Sequence, residues 1–530
     1  LTKNRSSSRF YKNDREKVAN DLTPIVVGVG QFTQRNAQKG DWKSSKTPME
    51  LVIEAARIAA ADTGLGDSFL KKADNFSIVQ FTADGSEVGR LPVGQYKNPP
   101  RTVAQAFGAK PDKEYYTAVG GNTPQWLVNR TAEEIANGET QIALLAGSED
   151  LATMTSALNA GESLDWGDDP GGEPTVIGDN RSGTSQTEKD HALYFPVNVY
   201  PLFENAIRGE IGRTVEQHQL EIGKLFSNFS KVASENPYAW FPTFRSPKEI
   251  AAPTEKNRYV GFPYTKYMNA IIRIDMAAAV IMTNVKTARE MGIDESKWVY
   301  LRGCGDAHDL WNMTDRVNFH SSPAIRTLGR KAFDMAGLTI GEMDFIDLYS
   351  CFPSAVEIGA QELGISVDDP RGLTVTGGLP YFGGAGSNYV MHSIATMVEK
   401  LRSKPGSSGL TTGNGWYLTK HSIGIYSTLP GDGAWELEAA SSYQAELDKI
   451  SHPHFEETPS GSGTVETYTV VHGREGPRIG IVFGRLENGD RFIAHTSPEQ
   501  SVLQEMMKVD CLGRPGRVTA GEKTNLFEFG

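Results

Sequence analysis

The chain has 530 residues, more than one ordinary core supports, so about two to four domains are expected. It carries 53 basic and 65 acidic side chains, a formal charge of −12. That excess speaks against a nucleic-acid partner, because phosphate binding needs a basic surface. Three cysteines, Cys304, Cys351 and Cys511, cannot build a disulfide framework, and no CxxC pair marks a zinc site. No metal and no tightly bound cofactor are expected. A reducing compartment follows, cytoplasmic in the simplest case, with an organelle matrix as the alternative. The longest clearly apolar stretch, Met276 to Met282, is far short of the ~20 residues a membrane span needs.

Residues 1–21 are a polar tail without the apolar centre of a secretory signal. From Pro24 to about Gly147 the pattern reads β-α-β-α-β-α-β. Ile25 to Gly30 is a buried strand by its β-branched run, and Pro48 to Gly64 an amphipathic helix. Phe76 to Phe81 and Tyr115 to Val119 are further strands. Thr123-Pro124 opens a helix, with Thr123 as its cap, which stops at Asn137-Gly138 before the strand Gln141 to Ala146.

The same order returns later in the chain. Ile25 to Gly30 is matched by Val299 to Gly305. The helix ending Ala61-Asp62-Thr63-Gly64-Leu65 is matched by one ending Asp334-Met335-Ala336-Gly337-Leu338. Phe76 to Phe81 is matched by Phe345 to Tyr349, and Gly120-Gly121-Asn122 with its helix by Gly384 to Asn388 with theirs. The fold class is therefore α/β, a duplicated βαβαβ core, and handedness rules favour parallel strands. Residues 22–150 and 270–432 form the two halves. Residues 151–269 form an insertion, with helices over Val199 to Gly209 and Val215 to Asn236. Residues 433–530 hold a short helix, a polar linker and short alternating strands, an OB-like β-barrel by strand count. Such barrels often bind nucleic acid, but no aromatic-basic run supports that here.

These halves, the helical insertion and four local strings resemble the thiolase superfamily, in particular its sterol-carrier-protein branch. The strings are Glu134 to Gly138 running on to Gly147, Asp347 to Phe352, Thr376 to Leu379, and His421-Ser422-Ile423-Gly424. The resemblance covers about Pro24 to Pro430. It implies CoA or acyl-CoA as ligand and a place in lipid metabolism. It also implies covalent catalysis by a cysteine thiolate, with histidine and backbone donors for the oxyanions.

The residues depart from that pattern. The nucleophile position falls on Gly121, or Asn122 with a one-residue slip, and no cysteine precedes Cys304. The second loop reads Tyr349-Ser350-Cys351-Phe352, with Tyr349 and Ser350 replacing the family's histidine and acid. Cys351 stands where that branch keeps its proton-shuttling thiol, before a helix opened by Pro353 that would lower its pKa. Gly384 replaces the Gly-His-Pro histidine, and His392 lies eight residues on, on the following helix. The paired glycines Gly377 and Gly378 would let a ligand approach the backbone. His421 could serve as a base for Cys351 or be a structural histidine. Arg208, Arg213 and Lys224 of the insertion are candidate CoA phosphate partners, or solvated helix faces.

Three functions remain open. The first is a thiolase-like protein that binds CoA or acyl-CoA without ordinary condensation or thiolysis. The second is an acetyl-CoA acetyltransferase-like enzyme using Cys351 with His421. The third is a non-catalytic scaffold recruiting a protein partner through its C-terminal β-domain. Resemblance implies a homodimer, unless the added domain covers that surface and leaves a monomer.

Overall fold

The computed structural model describes residues 19–84 and 93–530. The tail expected over 1–21 lies, up to residue 18, outside the described residues. The first half runs β1 (Pro24–Thr33), α1 (Pro48–Asp62), β2 (Asn75–Ile78), α2 (Pro99–Ala106), β3 (Lys113–Thr117), α3 (Thr123–Ala136) and β4 (Ile142–Asp150). The Thr47 hydroxyl caps α1 and Glu50 completes a capping box, with Pro48 in the first turn. Thr123 does not cap α3. It is the first helical residue, Asn122 takes the cap position, and the Thr123 hydroxyl turns back to the Ala118 carbonyl at 3.3 Å.

A short edge strand β5 (Thr175–Ile177) and two long helices follow, α4 (Pro196–Glu210) and α5 (Val215–Glu235). The second half holds β6 (Asp275–Asn284), β7 (Val299–His308), α6 (Pro323–Ala336), β8 (Phe345–Asp347), α7 (Pro353–Glu362), α8 (Tyr389–Ser403), β9 (Ser408–Gly415) and β10 (Lys420–Ser427). The strands pair in the order β8-β9-β10-β7-β1-β6-β4-β2-β3-β5. β6 lies between β1 and β4, antiparallel to both. The boundary expected at 269/270 therefore falls before a strand that completes the first half. Met276 to Met282 is apolar without alternation because β6 is buried on both faces.

The all-parallel expectation holds for β2 with β3 and β4, and for β8 with β9. It fails at β6 and β10, which return through the insertion and through a tight turn rather than through a crossover helix. α1 packs on β1, β4 and β6, and α6 on β7 and β10. α3 and α8 lie between the halves, against strands of both. Helices thus cover each half outside and share the centre. The duplication extends to contacts. A Cβ on Gly28 would lie 2.7 Å from Thr63 Cγ2, and one on Gly303 would lie 2.9 Å from Ala336 Cβ. At equivalent places, strand and helix pack too closely for any side chain.

After α9 (Ala440–Leu447) the chain forms β11 (Ser460–His472), β12 (Pro477–Leu486), β13 (Arg491–Thr496), α10 (Gln500–Lys508), β14 (Pro515–Thr519) and β15 (Leu526–Phe529). The order β12-β13-β15-β14-β11, closed by β11 on β12, is a five-stranded OB-like barrel. Ser460 to Gly463, expected as linker, already belongs to β11. The barrel is fastened to the body by buried arginines. Arg491 bonds Glu466 at 2.7 Å and the carbonyls of Thr314 and Arg316. Arg208 of α4 holds Asp510 through two bonds of 2.7 and 2.9 Å.

Candidate functional site

Four segments meet at the N-terminus of α3. The first is Gly120-Gly121-Asn122, after β3. The second is Tyr349 to Phe352, after β8. The third is Gly377 to Gly384. The fourth is the turn joining β9 to β10. A Cβ on Gly121 would overlap Tyr349 Oη and the Asn414 carbonyl oxygen and lie 2.8 Å from Tyr349 Cζ. The residue is therefore glycine by packing, and Tyr349 fills the space a nucleophile's side chain would need. Asn122 is bound to β10 just past the fourth segment, its Nδ2 donating to Ser422 Oγ at 3.2 Å.

Cys351 is buried, and burial pushes its thiol up to about 12. The lowering expected from the helix N-terminus is thus overturned: desolvation of the thiolate outweighs the dipole of α7. The neighbour of Cys351 is Tyr200 of α4, whose hydroxyl lies beside the thiol. The Tyr200 ring stacks on Phe352 with centroids 4.4 Å apart. Its hydroxyl donates to the Trp416 carbonyl at 2.9 Å and accepts from Asn414 Nδ2 at 2.9 Å. Trp416 and Leu418 adopt φ of 57° and 53°, unusual for bulky residues. Arg316, also buried, locks that turn through the carbonyls of Tyr417 at 3.0 Å and Leu418 at 2.8 Å. No local signal in the sequence points to Tyr200 or Arg316.

His421 Nε2 faces Asp309 Oδ2 and the Leu418 carbonyl, both at 3.1 Å. Burial raises the Asp309 carboxyl, but its bonds with His421 and Ser322 and the charge of Arg316 hold it below the ordinary value. His421 thus turns to Asp309 while Cys351 turns to Tyr200. Among the described residues, His421 and Cys351 hydrogen-bond to these other groups rather than to each other.

On the third segment, Gly384 N donates to the Ile271 carbonyl at 2.8 Å, and a Cβ there would lie 3.2 Å from the same oxygen. His392 sits in the core, its Nδ1 2.9 Å from Gln31 Oε1, and burial pushes it down to about 3. A Cβ on Gly377 would lie 2.5 Å from Ala233 Cα, and one on Gly378 2.6 Å from Phe229 Cδ1 and 2.8 Å from Ser350 Oγ. Helix α5 and Ser350 occupy the space beside these glycines.

The other side of α3's N-terminus is open. A cavity of about 230 Å³ is lined by Asn122, Trp126, Asp306, Trp311, Lys420 and His421, among others. Lys420 Nζ donates to the carbonyls of Val119 at 2.9 Å and Asp179 at 3.3 Å. Burial pulls it down to about 8. Asp306 accepts from Asn129 Nδ2 at 3.1 Å, and burial pushes it up to about 7. Arg181 stacks over the Trp311 ring at 3.7 Å. Lys420 stands immediately before His421, and its signal in the sequence is a lone charged residue opening an otherwise uncharged run.

Of the cations expected at phosphate, Arg208 is buried and saturated by Asp510, Asn205 and the Arg213 carbonyl. It fastens the barrel instead. Lys224 is exposed and pairs with Glu221 at 2.5 Å on its own helix. Arg213 is half-buried, beside Glu204, His218 and Glu357.

Duplicated halves around two shared central helices, with the site loops gathered at strand ends, define a thiolase-class protein. The crystal structure of a monomeric SCP2-thiolase like protein type 1 from Mycobacterium smegmatis is 34% identical. It superposes with a TM-score of 0.82, over 97% of this chain and 100% of that one. The chain belongs to that family of type 1 SCP2-thiolase-like proteins. Residues 442–523 match the family model described as the thiolase-like protein type 1 additional C-terminal domain. An acetyl-CoA acetyltransferase of Methanocaldococcus jannaschii is 22% identical over 353 residues, 66% of this chain and 78% of that protein. The dimeric peroxisomal thiolase of Saccharomyces cerevisiae shares the fold, at 11% identity and a TM-score of 0.55. That alignment covers 77% of this chain and 98% of the yeast one. No helix among the described residues is long and apolar enough to cross a membrane.

Proposed function

We propose that this protein binds CoA or an acyl-CoA beside the N-terminus of α3 and does not run thiolase condensation or thiolysis. One observation carries the reading: Tyr349 Oη and the Asn414 carbonyl occupy the volume a cysteine at Gly121 would need. Loss of one member of a catalytic unit already costs orders of magnitude in rate. Here Gly384 also removes the oxyanion histidine. The cavity supplies the binding half. Lys420 offers a cation at its wall and the Trp311 ring an apolar face. Arg181, stacked on that ring and paired with Asp179 at 2.6 Å, could exchange that partner for a phosphate. Like its Mycobacterium smegmatis relative, the chain is taken to act as a monomer.

The acetyltransferase alternative needs a reactive Cys351. A thiol pushed to about 12 and bonded to Tyr200, and a histidine bonded to Asp309, weigh against it. Incubation with acetyl-CoA and a long-chain acyl-CoA, read by melting temperature and intact mass, tests both. A rise in melting temperature without an acyl adduct is expected. An adduct that disappears in Cys351→Ala would favour the acyltransferase. No rise at millimolar CoA would leave the scaffold role of the barrel.

A further inference from the structure

Away from the α3 cavity, three ionisable side chains from distant parts of the chain converge in the interior. Glu204 lies on α4, His218 on α5 and Glu357 on α7. One ligand-type atom of each lies within 4.8 Å of the others. Glu204 and His218 are buried, and Glu357 is partly so. Nothing local in the sequence joins them.

The donors around them do not cover the acceptors. His218 Nε2 meets Glu204 Oε1, and the Tyr264 hydroxyl donates to Glu204 Oε2. Tyr264 is tied in turn to Ser354 Oγ at 2.8 Å, at the start of α7. Glu357 Oε2 and His218 Nδ1 have no hydrogen-bond partner although both atoms are buried. Arg213 acts electrostatically on all three groups, and Arg208 on His218. Two carboxyls and an imidazole so close need a cation or a shared proton between them.

We propose that Glu204, His218 and Glu357 form a binding site for one divalent transition-metal ion, pinning α4 and α5 of the insertion onto α7. One imidazole and two carboxylates suit zinc, manganese or ferrous iron better than calcium, which takes six to eight oxygens. The site is interior, and metal binding there adds its free energy to folding stability. The location gives it consequence. α7 follows the Tyr349–Phe352 segment directly, and Tyr200, which closes over Cys351, lies on the same helix as Glu204.

The full-length chain is tested directly. Elemental analysis of protein purified without chelator, then calorimetry of chelator-treated protein with Zn²⁺, Mn²⁺ and Co²⁺, should find about one equivalent of metal. Melting temperature should rise with the ion that binds. Glu357→Gln keeps the shape and the hydrogen bonds of a protonated carboxyl but weakens metal binding by about 100-fold or more, and His218→Asn does the same. Bound Co²⁺ should give a visible absorption band that both variants lose. Folded wild-type chain that takes up none of the three ions overturns the proposal. So does Glu357→Gln with undiminished metal affinity.

Discussion

The two sides of the Gly120–Thr123 segment differ sharply. Toward Tyr349 and Cys351 the space is solid: two tyrosines, a phenylalanine and the Asn414 carbonyl fill the place where the family's covalent chemistry would run. Toward Lys420 and Trp311 the same segment borders an open, partly charged cavity. In a related chain one expects the nucleophile and its substrate channel to share a side. Here the side toward Gly121 is filled while the side toward Lys420 is open, so on the proposed reading occupancy and turnover become separable properties.

The most disruptive way to break this contrast is to put the nucleophile back. Gly121→Cys should not restore thiolysis. Its side chain would meet the Tyr349 ring and a backbone carbonyl that cannot move cheaply. The cost should be about 3 kcal/mol, the upper end for an overpacked site, read from denaturant midpoints. Adding Tyr349→Ala should recover only part of it, because Asn414 remains. A Gly121→Cys chain as stable as wild type would mean the closed side is soft. On the open side the expected loss is in binding, not stability. Lys420→Met should weaken acyl-CoA binding about tenfold, near 1.4 kcal/mol, with stability changed by about 1 kcal/mol or less. Equal affinity would place the ligand elsewhere.

The duplication was legible because each half repeats the same strand–helix order, down to the packed glycines Gly28 and Gly303. The closed barrel was legible from alternating short strands. β6 is not legible as a strand of the first half, since its partner β1 lies some 250 residues earlier and sequence order carries no register. Absence of a cysteine at Gly121 is visible, but not what fills the gap, because Tyr349 and Asn414 reach it from separate elements. Arg208 shows the converse. A cation on an insertion helix looks like a phosphate ligand until its partner, Asp510, arrives from the far end of the chain.

The contrast is also electrostatic. A free thiol, at 9.0, ordinarily loses its proton before a lysine, at 10.5, but here the order is inverted: Cys351 is pushed up to about 12 and Lys420 down to about 8. Both shifts come from burial, which disfavours the charged form, thiolate in one case and ammonium in the other. The stability consequences have opposite signs. Lys420 is lower in the folded state, so its burial penalty is full below about pH 8 and fades as pH rises toward 10.5. Cys351 is higher in the folded state, so its contribution is intact below pH 9 and is lost as pH rises toward 12. Other buried groups, Cys511 and many tyrosines, follow the Cys351 sign, so wild type is best compared with Lys420→Met. From about pH 7.5 to 9.5, wild-type stability should gain on that variant by on the order of 1 kcal/mol. A gap that stays constant, or widens against wild type, would mean Lys420 keeps its proton. In that case the open side carries a fixed positive charge rather than an amine that deprotonates near neutrality.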